Sequence, residues 1–135
     1  MNIALEYTFL EVDDHDAALA FYRDTLGLVV RMDVKTEFGR WLTVGPKDQP
    51  GIGIVLQTVG AGRGPEDAQA LRTLLAKGSL GGVVFSTDDL DGVFETVRAS
   101  GAEVMQEPMD QPYGVRDCAF RDPAGNMVRI SRGKS

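Results

Sequence analysis

Phe120-Arg121-Asp122-Pro123-Ala124-Gly125-Asn126-Met127-Val128-Arg129-Ile130 reads as a tight turn running into a strand. Asp122-Pro123-Ala124-Gly125 supplies the turn residues: proline with its fixed φ, glycine with its freedom, aspartate with its bonds to nearby backbone. Met127, Arg129 and Ser131 then alternate with Val128 and Ile130, the period of two that marks a strand. Arg129 therefore faces away from the apolar side. Its guanidinium is always charged and has no lone pair to give, so it cannot ligate a cation.

The stretch recurs earlier in the chain. An offset of 74 lays Gly53-Ile54-Val55-Leu56-Gln57 over Met127-Val128-Arg129-Ile130-Ser131, and Gly27 and Val30 over Gly101 and Val104. An offset of 75 matches Asp13, Asp14, Asp16 and Arg23 with Asp88, Asp89, Asp91 and Arg98. Few residues are identical, but the order of elements repeats, and an internal repeat decides architecture.

Each repeat opens on a strand. Thr8, Leu10 and Val12 alternate with Tyr7, Phe9 and Glu11. Acidic residues follow that can cap a helix and favour its positive end. Ala18, Phe21, Tyr22 and Leu26 share one helical face in the first repeat; Leu90, Val93, Phe94 and Val97 do so in the second. Gly27 and Gly101 suit the helix ends. Three strands then follow in each repeat, at about 29–34, 41–44 and 52–57, and about 103–107, 117–121 and 127–131. Each module is β-α-β-β-β, an α+β arrangement with residues 1–59 in the first module and 80–135 in the second. Residues 60–79 join them through the glycine-rich Gly60-Ala61-Gly62-Arg63-Gly64-Pro65. A short helix is predicted there from Pro65 to about Lys77.

Composition narrows the functional classes. At 135 residues, with 43% hydrophobic and 25% charged, the chain fits one ordinary globular domain. The net charge of -6 argues against nucleic acid and anionic membrane as partners. No apolar run is long enough for a membrane span, and the N-terminal residues lack the pattern of a signal peptide. Cys118 is the lone cysteine, which excludes an intramolecular disulfide and suits a cytoplasmic protein; it reads as a buried apolar residue. His15, the single histidine, reads as a surface residue at the helix start. The cluster Asp13, Asp14 and Asp16 lacks the glycine and terminal glutamate of a calcium loop, so capping explains it better.

Paired β-α-β-β-β modules, Phe21-Tyr22-Arg23-Asp24-Thr25-Leu26-Gly27 and the D-P-x-G-N turn together resemble the vicinal oxygen chelate superfamily, the group of glyoxalases, bleomycin resistance proteins and extradiol dioxygenases. The resemblance runs from Leu5 to Arg132. It implies two modules curved into an open barrel-like pocket, formed within one chain or across a dimer, and a homodimer as the assembly. In that family's metal enzymes, ligands come from the first and last strands of each module. Those positions fall on Tyr7, Val55, Gly82 and Arg129, and none keeps a usual metal ligand. The expectation is no metal and no cofactor.

Alternation sends Tyr7, Phe9 and Glu11 to one face with Val55, Gln57, Gly82, Val84, Ser86, Met127, Arg129 and Ser131. Trp41, Thr43, Arg116, Cys118 and Phe120 join that set if the register does not slip. Tyr113, in Gln111-Pro112-Tyr113-Gly114, is expected on a loop at the pocket mouth. Such a lining suits a small molecule. The candidate ligand-binding residues are Tyr7, Phe9, Glu11, Trp41, Val55, Gln57, Gly82, Ser86, Tyr113, Arg116 and Arg129. Glu11 and Arg129 should both point inward; they could form an ion pair, or Arg129 could present a positive fork to a ligand oxygen with Glu11 as base. Metal-independent binding of a small molecule is the first functional expectation. A lyase, isomerase or dioxygenase-type enzyme acting through Glu11, Tyr7 or Arg129 is the alternative, and a side-chain-filled scaffold is the third.

Overall fold

The computed structural model describes residues 1–133. The chain divides into two compact units, Met1–Thr73 and the residues from Leu74 onward. The first contains β1 (Tyr7–Val12), α1 (His15–Leu19), β2 (Val29–Thr36), β3 (Gly39–Gly45) and β4 (Gly53–Thr58). α2 (Pro65–Ala76) crosses the division. The second contains β5 (Gly82–Thr87), α3 (Leu90–Ala99), β6 (Glu103–Asp110), β7 (Arg116–Arg121) and β8 (Met127–Arg132). No helix among the described residues is long and apolar enough to cross a membrane.

The repeat is visible as register. The sheets have the orders β1-β4-β3-β2 and β5-β8-β7-β6. β1 runs parallel to β4 with Tyr7 opposite Gly53 and Glu11 opposite Gln57. β5 runs parallel to β8 with Gly82 opposite Met127 and Ser86 opposite Ser131. Tyr7 thus corresponds to Gly82, and Val55 to Arg129. On the third strand of each module, Thr43 opposes Val55 while Ala119 opposes Arg129. One step further along that strand face, Trp41 therefore corresponds to Asp117.

Each sheet buries one face under its helix. Leu10, Val12, Leu42, Val44, Ile54 and Leu56 form the covered face of the first sheet, against Ala18, Leu19, Phe21 and Tyr22. Cys118, Phe120, Val128 and Ile130 do the same in the second, against Leu90, Phe94 and Val97. Phe94 and Phe120 meet with ring centroids 5.3 Å apart. Cys118 and Phe120 thus sit on the helix-covered face, one register step from the face that carries Arg129. Burial pushes the Cys118 thiol up to about 11, as desolvation disfavours a thiolate.

Asp14 caps α1 by accepting bonds from the N–H groups of Asp16 and Ala17, and Asp89 caps α3 by accepting from Gly92. α1 departs from a single α-helix: it continues as a π-helical turn, Ala20–Thr25. The wider turn lets the adjacent rings of Phe21 and Tyr22 both be buried, edge to face at 4.9 Å. His15 is half-buried rather than on the open surface, and its Nε2–H donates to the Leu56 carbonyl at 2.9 Å. An arginine clasp is duplicated as well. Arg40 joins Asp33 at 2.8 Å and Asp16 at 3.7 Å; Arg116 joins Asp91 at 3.0 Å and Asp110 at 3.6 Å. In both units the clasp ties the third strand to the second strand and to the first turn of the helix.

The D-P-x-G-N turn has a physical basis. Asp122 Oδ1 accepts hydrogen bonds from the backbone N–H groups of Ala124, Gly125 and Asn126 at 3.0, 2.9 and 2.9 Å. Its Oδ2 accepts from Asn126 Nδ2 at 2.9 Å. Gly125 has φ 118, and a Cβ there would collide with the Leu75 carbonyl oxygen of α2. Aspartate, asparagine and glycine are required at their places because the turn is buried beneath the end of a helix.

Candidate small-molecule site

On the first sheet the face opposite α1 is only partly covered. Tyr7, Phe9 and Trp41 remain 37%, 56% and 38% exposed. Trp41 packs edge-on against both, with centroid distances of 5.9 Å to Tyr7 and 6.1 Å to Phe9. The three rings brace one another and leave ring surface uncovered.

Beside them a cleft of about 480 Å3 is lined by Thr36, Phe38, Gly39, Arg40, Trp41, Val55, Gln57, Thr58, Gly60 and Ala61. This size suits a small organic ligand. The hairpin between β2 and β3 forms one wall. Thr36 Oγ1 fixes its turn by donating to the Gly39 carbonyl and accepting from Phe38 N–H, both at 3.1 Å. Phe38 at the tip is 92% exposed. Val55 lies buried on the cleft wall, and its register partner Thr43 is fully buried with no hydrogen-bond partner for its hydroxyl.

The charges at this site are already matched. Arg40 makes two 2.8 Å hydrogen bonds to the Asp33 carboxylate, which raises the arginine pKa and lowers that of the aspartate. Glu11, beside Gln57 in the parallel ladder, is gripped by two nitrogens of Arg63 at 2.8 and 3.0 Å. Gln57 itself is half-buried, and its amide makes no side-chain hydrogen bond among the described residues.

The corresponding face of the second sheet is polar. Asp117, only 2% exposed, accepts hydrogen bonds from Gln106 Nε2 at 2.8 Å and Gln111 Nε2 at 2.9 Å. Arg129 Nη1 lies 3.2 Å from Asp117 Oδ2 and donates to Gln106 Oε1 at 3.2 Å. Burial opposes the Asp117 carboxylate, yet its amide donors and the Arg129 charge together hold its pKa below the ordinary range.

The sequence-derived candidates separate accordingly. Trp41, Val55 and Gln57 line the cleft, with Tyr7 and Phe9 bracing Trp41. Glu11 and Arg129 each have a charge partner within their own unit, Arg63 and Asp117. Arg116 turns to the helix side, toward Asp91. Tyr113 stands exposed on the turn between β6 and β7, while Gly82 and Ser86 lie on β5. Alternation alone could not reveal Phe38, Gly60, Ala61 or Arg63, because they belong to turns. Nor could it show that Gln106 and Gln111 converge on Asp117.

A sequence model of the "Glyoxalase/Bleomycin resistance protein/Dioxygenase superfamily" matches residues 4–130. The chain belongs to this superfamily. The crystal structure of UcmS2 is 36% identical, covers 97% of this chain and 98% of its own, and superposes with a TM-score of 0.90. TnmS3, described as an antibiotic binding protein from Streptomyces sp. CB03234, is 29% identical over 99% of both chains, with a TM-score of 0.77. A probable lactoylglutathione lyase of Vibrio cholerae serotype O1 (strain ATCC 39315 / El Tor Inaba N16961) is 26% identical, covering 98% of this chain and 93% of its own.

The superfamily includes metal enzymes, so the fit to a metal ion matters. Among Tyr7, Val55, Gly82 and Arg129, valine and glycine offer no donor atom and arginine carries a positive charge. Gly82 has no room for a ligand side chain, because a Cβ there would strike the Met127 carbonyl oxygen. Among the described residues, no three His, Cys, Asp or Glu side chains cluster as a metal site would need. These residues do not fit a resident transition-metal ion.

Proposed function

We propose that this superfamily member binds a small organic molecule in the cleft beside Trp41, without a metal ion. The observation that carries the reading is the cleft itself. It joins a braced aromatic wall to the Gln57 amide, and Arg40, the one charged lining residue among those described, is already neutralised. Apolar surface with a few placed polar groups is the ordinary make-up of a ligand site. The antibiotic-binding relative TnmS3 supports the same class of function.

The binding chemistry follows from the side chains. Trp41 supplies flat apolar area, and its edge contacts with Tyr7 and Phe9 limit its motion, so little rotamer entropy is lost on binding. Val55 forms a buried floor, and Gln57 supplies one donor group and one acceptor. In this reading Glu11 is a structural partner of Arg63, since its carboxylate is already engaged by two guanidinium nitrogens.

Trp41 is the single tryptophan of the chain, which makes its emission a site-specific reporter. Titration with a panel of antibiotics and aromatic metabolites should yield at least one compound that quenches this emission and raises the melting temperature together. Treatment with EDTA should leave both responses intact. Compounds that raise the melting temperature of wild type and Trp41→Ala equally would defeat the reading, as would binding that EDTA abolishes.

A further inference from the structure

Resting on that reading, we infer that the cleft selects an uncharged aromatic molecule bearing a hydrogen-bonding group, and that Gln57 is the residue that reads this group. The argument is one of charge and polar satisfaction.

Among the described residues, Arg40 is the only charged one in the cleft lining, and two nitrogens of its fork are taken by Asp33. The ion pair next along β1 and β4, Glu11 with Arg63, is also closed on itself. Glu37, on the hairpin turn, is exposed and outside the lining. A carboxylate or ammonium entering this cleft would give up water without meeting an opposite charge, a heavy cost. The protein's net charge of -6 adds a long-range penalty for anions. A neutral ring system avoids both and gains contact with Trp41 and Val55. Within the lining, Gln57 and Thr58 are the half-buried polar side chains that make no side-chain hydrogen bond among the described residues; Gln57 shares the Val55 face of β4, whereas Thr58 alternates onto the Ile54 and Leu56 face. Thr36 has spent its hydroxyl on its own turn, and Arg40 its fork on Asp33.

A matched pair of fluorogenic dyes provides the test. N-phenyl-1-naphthylamine is neutral; 8-anilinonaphthalene-1-sulfonate has the same rings plus a sulfonate. The neutral dye should bind wild type about tenfold or more tightly than the anionic one. Trp41→Ala should abolish the binding of the neutral dye. Gln57→Leu, of similar size but apolar, should weaken the neutral dye about fivefold, the worth of one neutral hydrogen bond. Asp33→Asn leaves Arg40, a lining residue, with only its longer 3.7 Å contact to Asp16 and should shift the preference several-fold toward the sulfonate.

The inference is overturned if the sulfonate binds as tightly as the neutral dye in wild type and Trp41→Ala abolishes both. It is equally overturned if Gln57→Leu leaves neutral-dye affinity unchanged. In either case small-molecule binding at the cleft survives. If neither dye binds, or Trp41→Ala binds both as wild type does, the proposed binding function and this inference fall together.

Discussion

Replacing Asp122 with alanine isolates what the turn signature contributes to the fold. The carboxylate is 5% exposed and serves three backbone N–H groups through one oxygen and an amide through the other. A hydrogen bond to a charged group contributes about 1.5–3 kcal/mol, and an orphaned buried donor costs about 1–3 kcal/mol. Three bonds that share one acceptor do not add, because the loosened turn admits water to some donors. We therefore expect a loss of about 3–5 kcal/mol, which is a large share of a total stability of about 5–15 kcal/mol. Asp122→Asn keeps an oxygen that can face the same three donors but gives up the charge. It should lose about 1–2 kcal/mol.

Urea unfolding followed by far-ultraviolet circular dichroism measures both variants. The midpoint should fall while the slope stays the same, since the surface exposed on unfolding does not change. A loss below about 1 kcal/mol for Asp122→Ala, at constant slope, would refute the reasoning. The turn would then be held by the docking of Gly125 beneath α2 and not by the carboxylate.

Three further outcomes follow from buried groups. Thr43→Val removes a hydroxyl that is fully buried without a partner, and should raise the free protein's stability by about 1 kcal/mol or more in the same urea assay. A loss of stability would show that the hydroxyl is satisfied. For Asp117, the folded pKa lies below the unfolded value near 4. Its contribution is therefore present above about pH 4 and is lost as pH falls through the folded value. Asp117→Asn should make the melting temperature less steep in pH below about 4 than wild type, and equal steepness would contradict this. Cys118, with its thiol raised to about 11, should resist iodoacetamide at pH near 8 in the native state and react readily in denaturant. Rapid native alkylation counts against its burial.

How much was legible in the sequence depended on whether a feature is local. The strands and the helices follow from alternation and from turn residues, which are encoded within a few positions, and the equivalence of Val55 with Arg129 follows from the internal repeat. The π-helical turn was hidden because an apolar stripe does not distinguish two packings of adjacent rings, and here burying both Phe21 and Tyr22 decided it. The partners of Glu11 and Arg129 were hidden for another reason. Arg63 is distant in sequence from Glu11, on a linker with no period, and Asp117 meets Arg129 only through strand pairing.

The duplicated register also shows where the two halves have diverged. The helix-facing positions stay apolar in both, and the arginine clasp stays in both, because each half must cover its own sheet. The opposite faces carry no such demand. Trp41 in one half stands where Asp117 stands in the other, and Val55 where Arg129 stands. An aromatic–aliphatic pair and an ion pair are two ways to fill the same two neighbouring sites on a strand ladder. The ion pair is closed around the Asp117 carboxylate by Gln106 and Gln111. The aromatic–aliphatic pair leaves ring surface exposed beside an open cleft. On the reading proposed above, this asymmetry puts ligand binding on the Trp41 side and leaves Arg129 to the structure of its own half.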